Sequence, residues 1–353
     1  MLGPSAERYA RPPMPGADVV TVPDFSGPAA SLFEVRTLLF LGSWLDHAGG
    51  ARDWPLHLAC VGEPPPRVRA LAERAGAHIS LHAALENGRI PTYNKLLGFD
   101  IQPHTGRLLL VDTDVLFLGD PSPLDRLDDR LSLIPAGSHR IPPEMWLRGC
   151  AALGRQVPTK RILCQRGELA DRIPVRAVHG PKHRERMVPY YNSGVLMIPW
   201  RDADAFRKHW LDVALRLVEH FPPEVPEHQK ISKEDQYGMA LAVDDWERER
   251  GEIQRLPSPL HSGWLQVMAG VLRADEVAVY HAVHFLRLGD PEHFDALAEV
   301  DAYGRFILEH VYPADLSGRA LAAWRRLSGE PEPIRQVRAL IERIRAVVER
   351  YAP

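Results

Sequence analysis

The sequence predicts a doubly wound α/β fold, a mostly parallel sheet with helices on both faces. Three observations lead to it. Short apolar runs of strand type alternate with segments of helical period through the first part of the chain. The 32 prolines gather in clusters, Pro12–Pro15, Pro64–Pro66, Pro121–Pro123, Pro142–Pro143 and Pro222–Pro226, that separate these runs. "RLLLV", residues 107–111, is a continuous apolar stretch ending on an acid, the form of a strand buried on both faces. Strands that alternate with helices need crossover connections, which are right-handed and build parallel sheets.

Taken in order, "ADVVTVPDF" and "PLHLACVG" read as short buried strands. Between them "AASLFEVRTLLFLGSWLDHA" has helical spacing through Leu32, Val35, Leu38, Leu39 and Leu45. "PRVRALAERAG" is a helix ended by Gly76, "AHISLH" a further strand and "YNKLLGFDI" a short helix. Residues 137–189 change character. They are basic, Pro-interrupted and weakly periodic, and read as an insertion or flexible loop over a site. A second apolar strand, "YYNSGVLMIPW" at 190–200, is followed by the helix "ADAFRKHWLDVALRLVEHF". "KEDQYGMALAV" opens another helix, and "EVAVYHAVHF" at 276–285 is a strand.

The C-terminal "PIRQVRALIERIRAVVERYAP" repeats Val337, Leu340, Ile341, Ile344, Val347, Val348 and Tyr351 at spacings of three and four, with arginines on the other face. Three uses are open to such a helix: packing on its own domain, a homodimer contact, or a membrane surface. The expected organisation is one domain over 18–312, carrying the 137–189 insertion, and a C-terminal helical extension over 313–353.

Composition narrows the function classes. A chain of 353 residues with 45% hydrophobic and 25% charged residues is ordinary for a globular protein. A net charge of −3 gives no reason to expect nucleic acid or an anionic membrane. The three cysteines, Cys60, Cys150 and Cys164, form no metal-binding or paired pattern and fit a reducing cytoplasm. No signal peptide and no transmembrane stretch is legible, so the expected location is cytoplasmic.

The chemistry starts just beyond the strand end, where doubly wound sheets bind ligands. Asp112 and Asp114 leave "RLLLV" two residues apart, a spacing that lets two carboxylates converge on one divalent cation. Carboxylate oxygens suit Mg²⁺ or Mn²⁺ with phosphate oxygens completing the shell. "YYNSGVLMIPW" offers Asn192 and Ser193 beside Gly194, amide and hydroxyl groups able to read sugar hydroxyls. "KEDQYGMAL" sets Glu234, Asp235 and Gln236 at a helix N-terminus, where carboxylates are favoured by the dipole. "VYHAVHF" supplies His281 and His284, imidazoles of the kind that ligate Mn²⁺.

In that order, "TYNKLLGF…RLLLVDTDVLFLGDP", "YYNSGVLMIPW", "EDQYGMAL" and "VYHAVHF" resemble the nucleotide-sugar glycosyltransferases of the GT-A fold. The likeness is nearest to the glycogenin and bacterial lipopolysaccharide galactosyltransferase family, and it covers roughly residues 18–290. It implies a Rossmann-like, mostly parallel sheet flanked by helices. It also implies transfer of a hexose from a nucleotide sugar, expected to be UDP-linked, to an acceptor hydroxyl with retention of configuration. By the same resemblance Asp112 and Asp114 hold Mn²⁺ on the donor diphosphate, with His281 as third ligand and His284 the other candidate. Thr113 lies between the two acids in the donor-binding motif. Asp24 falls where that family contacts the base, Lys95 near the donor phosphates, Asn192 and Ser193 by the donor sugar, and Asp235 and Gln236 beside the anomeric carbon.

The chain departs from that family where a Gly and a Lys-Pro-Trp segment grip the diphosphate. "HAVHFLRLGD" stands there instead, with Arg287 as the available stand-in. Lys160, Arg161, Lys182 and Arg184 are basic residues expected either to close over the diphosphate or to remain a solvated face. The acidic "KED" also resembles the motif of inverting GT-A enzymes, in which Asp235 would be the general base. Trp146, Trp200, Trp210 and Trp264 read either as core or as a sugar-stacking platform; a glycan, protein or small-molecule acceptor is left open. Two other readings fit the opening motif. "LLLVDTDVLF" resembles the nucleophile motif of haloacid-dehalogenase-like phosphatases, and a non-catalytic nucleotide-sugar-binding module would use the same residues.

Overall fold

A computed structural model of the chain describes residues 15–88, 90–137, 141–172, 185–221, 235–281, 296–311 and 332–352. Its strands are β1 (Asp18–Thr21), β2 (Leu56–Val61), β3 (His78–His82), β4 (Arg107–Val111), β5 (Val115–Phe117), β6 (Ser132–Pro135), β7 (Tyr191–Pro199), β8 (Gln254–Arg255) and β9 (Val279–His281). Seven form one sheet in the order β3-β2-β1-β4-β7-β6-β8. Four of its six neighbouring pairs are parallel, and β7 runs antiparallel to both β4 and β6. This is the mostly parallel α/β layer expected. β5 and β9 make a separate antiparallel ribbon beside it.

The helices are α1 (Ala30–His47), α2 (Pro66–Arg74), α3 (Pro143–Ala152), α4 (Gln165–Glu168), α5 (Trp200–His220), α6 (Asp235–Arg250), α7 (Trp264–Met268), α8 (Ala296–Val311) and α9 (Glu332–Tyr351). The central strands bury every residue of β1 and β2. Helices therefore have to cover both faces. α1 contributes Leu38, Leu41 and Trp44 to one face, while α5 and α6 contribute Phe206, Trp210, Tyr237 and Leu241 to the other.

Some elements differ from the reading of the sequence. "YNKLLGFDI" is a 3₁₀ helix spanning Pro91–Asp100. Its fully or nearly buried Tyr93, Leu96 and Phe99 recur every third residue, the period of that tighter helix. The first strand stops at Thr21, ahead of Pro23, which has no N–H to donate to a ladder. Pairing resumes only as a bridge from Asp24 to Val61, with Phe25 N donating to Val61 O at 2.7 Å. Within 137–189, the segment read as weakly periodic contains α3. Pro142 and Pro143 open that helix, because proline suits a first turn, and Met145, Trp146 and Cys150 lock it into the main core.

α9 buries Ile334, Val337, Leu340, Ile341, Ile344, Val347 and Val348 in one core cluster with Val35 and Leu39 of α1, Trp264 of α7 and Tyr303 of α8. Burial contributes about 1.5–3 kcal/mol for each such side chain. Of the three uses open to this helix, its apolar face is engaged in packing on its own chain. The fit is close: a Cβ on Gly42 would lie 2.2 Å from the Tyr351 ring. Tyr351 then donates to Asp46 at 2.8 Å. Among the described residues, no helix is long and apolar enough to cross a membrane.

Candidate active site

The two acids sit in a tight turn between β4 and β5. Asp112 N donates to Gly194 O at 2.9 Å, continuing the β4–β7 ladder one residue past the strand, and Val115 N closes the turn on Asp112 O at 3.2 Å. The ribbon register then pairs Val115 with His281. This delivers the imidazole to the acids from a point far away in sequence. One donor atom each from Asp112, Asp114 and His281 lies within 4.8 Å of the others. His281 Nε2 is 3.3 Å from Asp114 Oδ1.

Lys95 organises the opposite side. Its ammonium, at the middle of the 3₁₀ helix, is 2.7 Å from Asp112 Oδ1 and 2.8 Å from Asp235 Oδ2, and donates to Ser193 Oγ at 2.9 Å. Ser193 in turn donates to Asp235 Oδ2 at 2.6 Å. Burial works against the charge on Lys95, but Asp112 and Asp235 outweigh it and hold the ammonium protonated beyond the ordinary lysine range. Burial pushes the Asp112 carboxyl up, and repulsion from Asp114 and Asp235 adds to this against the pull of Lys95. Arg36 of α1 comes within 4.0 Å of Asp114. Asp112, Asp114 and Asp235 thus converge in a buried place, with Lys95 and Arg36 against them.

Asn192 aligns the histidine. Its Oδ1 accepts from Gly194 N at 2.7 Å, which turns its Nδ2 toward His281 Nδ1 at 3.0 Å. Gly194 is needed for this packing, because a Cβ there would lie 2.8 Å from His281 Nε2. His281 Nε2 is buried and makes no hydrogen bond among the described residues. An orphaned imidazole nitrogen beside two carboxylates is a donor set that fits a divalent cation such as Mn²⁺ or Mg²⁺.

Asp112, Asp114, Asn192, Ser193, Asp235 and His281 line a cleft open to solvent, together with Gln236, Gln165, Arg166, Trp264, Gln266, His261 and Tyr303. Several of these carry no motif in the sequence. Gln266 donates to Gln165, which donates to Pro135 O at 2.6 Å, so two glutamines 101 positions apart form one polar wall. His261 is fully buried, its ring is 5.6 Å from that of His281, and neither of its nitrogens has a partner among the described residues. Burial, and next to it His281, push its pKa well below the imidazole range, so it is neutral.

Other expected residues lie apart. Asp24 accepts from Asn94 Nδ2 at 3.0 Å and from Ser26, outside this cleft. Thr113 is buried in the turn. Lys160 pairs with Glu247 at 2.8 Å on α6, and Arg161 donates to Pro158 O, so neither closes over the cleft. Trp146, Trp200 and Trp210 are core; Trp264 alone of the four lines the cleft. Lys182, Arg184, Glu234, His284 and Arg287 lie outside the described residues.

Comparison with known proteins adds the family. The sequence model of the Rhodobacterales glycosyltransferase domain matches residues 33–247. Among solved structures, an active-site mutant of LgtC is similar at 17% identity, over 87% of this chain and 99% of that one, with a TM-score of 0.45. The galactosyltransferase LgtC in complex with donor and acceptor sugar analogues is similar at 15% identity, over 88% and 99%, with a TM-score of 0.45. Mouse xyloside xylosyltransferase 1 is similar at 14% identity, over 75% and 96%, with a TM-score of 0.42. No curated protein matches the chain.

Proposed function

The chain belongs to the Rhodobacterales glycosyltransferase family, and from that premise we propose that it moves a hexose from a UDP-sugar to an acceptor hydroxyl with retention, using Mn²⁺ or Mg²⁺. The observation that carries the reading is the convergence of Asp112, Asp114 and His281 on one point. Asp112, Asp114 and His281 would hold the cation, which when bound supplies charge neutralisation for a departing diphosphate. Family membership sets aside the phosphatase reading of the same motif.

The chain's own residues do the rest. Lys95 fixes Asp112 and Asp235 relative to each other, so neither carboxylate has to reorganise when a donor enters. Asn192 and Gly194 set the His281 ring. Asp235, which accepts from Ser193, stands beside Gln236 at the start of α6, where its carboxylate meets the transferring sugar. The glutamine pair and Trp264 form the wall that contacts the sugar or the acceptor.

The reading is tested by turnover. The chain is incubated with UDP-hexoses and Mn²⁺, released UDP is followed, and the anomeric configuration of the product is read by NMR. Metal-dependent release with the donor's configuration kept supports it. Release with inversion moves Asp235 to the role of general base, and no release with any sugar nucleotide overturns the reading.

A further inference from the structure

A second cluster of metal-ligating side chains lies at the other end of the sheet. Asp18 opens β1, His57 lies near the start of β2, His78 opens β3, and His104 precedes β4, so all four collect at the strand ends farthest from Asp112. His57 Nε2 is 3.2 Å and His104 Nδ1 is 3.3 Å from the same Asp18 oxygen, and one donor atom of each residue falls within 4.8 Å of the others. His78 pairs with His57 across the β2–β3 register. Its ring stacks 5.2 Å from His57 and 5.4 Å from His104.

We propose that Asp18, His57 and His104 form a three-ligand site for a zinc-type divalent ion, with the fourth position left to water. The donor chemistry is two imidazoles and one carboxylate, a nitrogen-rich set that favours Zn²⁺ over the harder Mn²⁺. The spacing agrees. Bonds of about 2.0–2.1 Å to zinc set tetrahedral donor–donor edges of roughly 3.3–3.4 Å, which the two measured separations nearly match. The carboxylate is held in place before any ion arrives: Thr105 N at 2.9 Å, Thr105 Oγ1 at 2.8 Å and Trp200 Nε1 at 2.8 Å all donate to Asp18 Oδ2. Its other oxygen accepts from His104 N at 3.1 Å and faces the His57 and His104 rings. His104, with 38% of its side chain exposed, and the exposed His78 give an ion its way in. An ion there clamps β1, β2 and β3 to the segment that leads into β4, away from the cleft.

The test uses the full chain and Zn²⁺ in competition with a chromophoric chelator. Asp112→Asn/Asp114→Asn isolates the proposed site from the cleft. One equivalent of tight Zn²⁺ is expected in wild type and in that double variant, with Mn²⁺ failing to displace it. His104→Ala is expected to weaken binding by about 100-fold or more. Co²⁺ in place of Zn²⁺ is expected to give the intense visible absorption of a four-coordinate ion. His57 is nearly buried and its loss can unfold the chain, so the more exposed His104 is the position that decides the test. Zn²⁺ affinity unchanged by His104→Ala, or a pale six-coordinate cobalt spectrum, overturns the proposal.

Discussion

Replacing Lys95 with Met removes a cation that touches both Asp112 and Asp235. The side chain is 12% exposed and its ammonium lies 2.7 and 2.8 Å from the two carboxylates. Removing one partner of a buried ion pair costs about 3–5 kcal/mol, because the charge left behind has been taken from water without compensation. At roughly 2 °C per kcal/mol for a chain of this size, Tm at about pH 8 falls by on the order of 6–10 °C. The loss depends on pH with a definite sign. The Asp112 carboxyl already lies above its ordinary range through burial, and without Lys95 it rises further. Its unfolded counterpart titrates near 3.9. Between those two values the folded chain holds the extra proton, so stability decreases as pH rises. The penalty of Lys95→Met is therefore full at about pH 8 and smaller at about pH 5.5. Thermal unfolding followed by circular dichroism at both values measures it. Equal Tm for variant and wild type at the higher pH, or a penalty that grows on acidification, refutes this account of the network.

Other variants probe separate parts. Gly194→Ala touches no ligand but crowds His281, and is expected to weaken Mn²⁺ binding about 10–100-fold by calorimetry. Asp235→Asn is expected to lower turnover by about 100-fold or more while UDP binding persists, measured by UDP release and by titration. His261→Leu removes two buried nitrogens that have no partner among the described residues, and is expected to raise stability by about 1–2 kcal/mol in denaturant unfolding while reducing turnover. Gly42→Val pushes into Tyr351 and is expected to cost about 1–3 kcal/mol by the same measurement, as α9 is displaced from α1.

The sheet and the acid pair were legible because each rests on a local signal. Leu108–Val111 are apolar throughout since β4 is covered on both faces, and the polar residues that follow stand where the sheet ends. The partners of those acids are legible only through resemblance. Nothing local to Lys95 says that it reaches Asp235, or that the β5–β9 register sets His281 against Asp114. The glutamine wall was out of reach for the same reason, since Gln165 and Gln266 carry no motif and meet only through the fold. His261 sits in a proline-interrupted stretch that gives no period, so its burial had no signature. α3 is the instructive miss. Its paired prolines read as a break, although proline at the first turn is a start signal, and Met145, Trp146, Gly149 and Cys150 behind them form a helical face.

The central claim is that Asp112, Asp114 and His281 form a cation site that receives a sugar-nucleotide diphosphate. Calorimetric titration of UDP, with and without Mn²⁺, on wild type and on Asp114→Ala tests it most directly. The account predicts binding that needs the metal and that weakens by about 100-fold or more in the variant. UDP binding that is equal with and without Mn²⁺ in both proteins contradicts it.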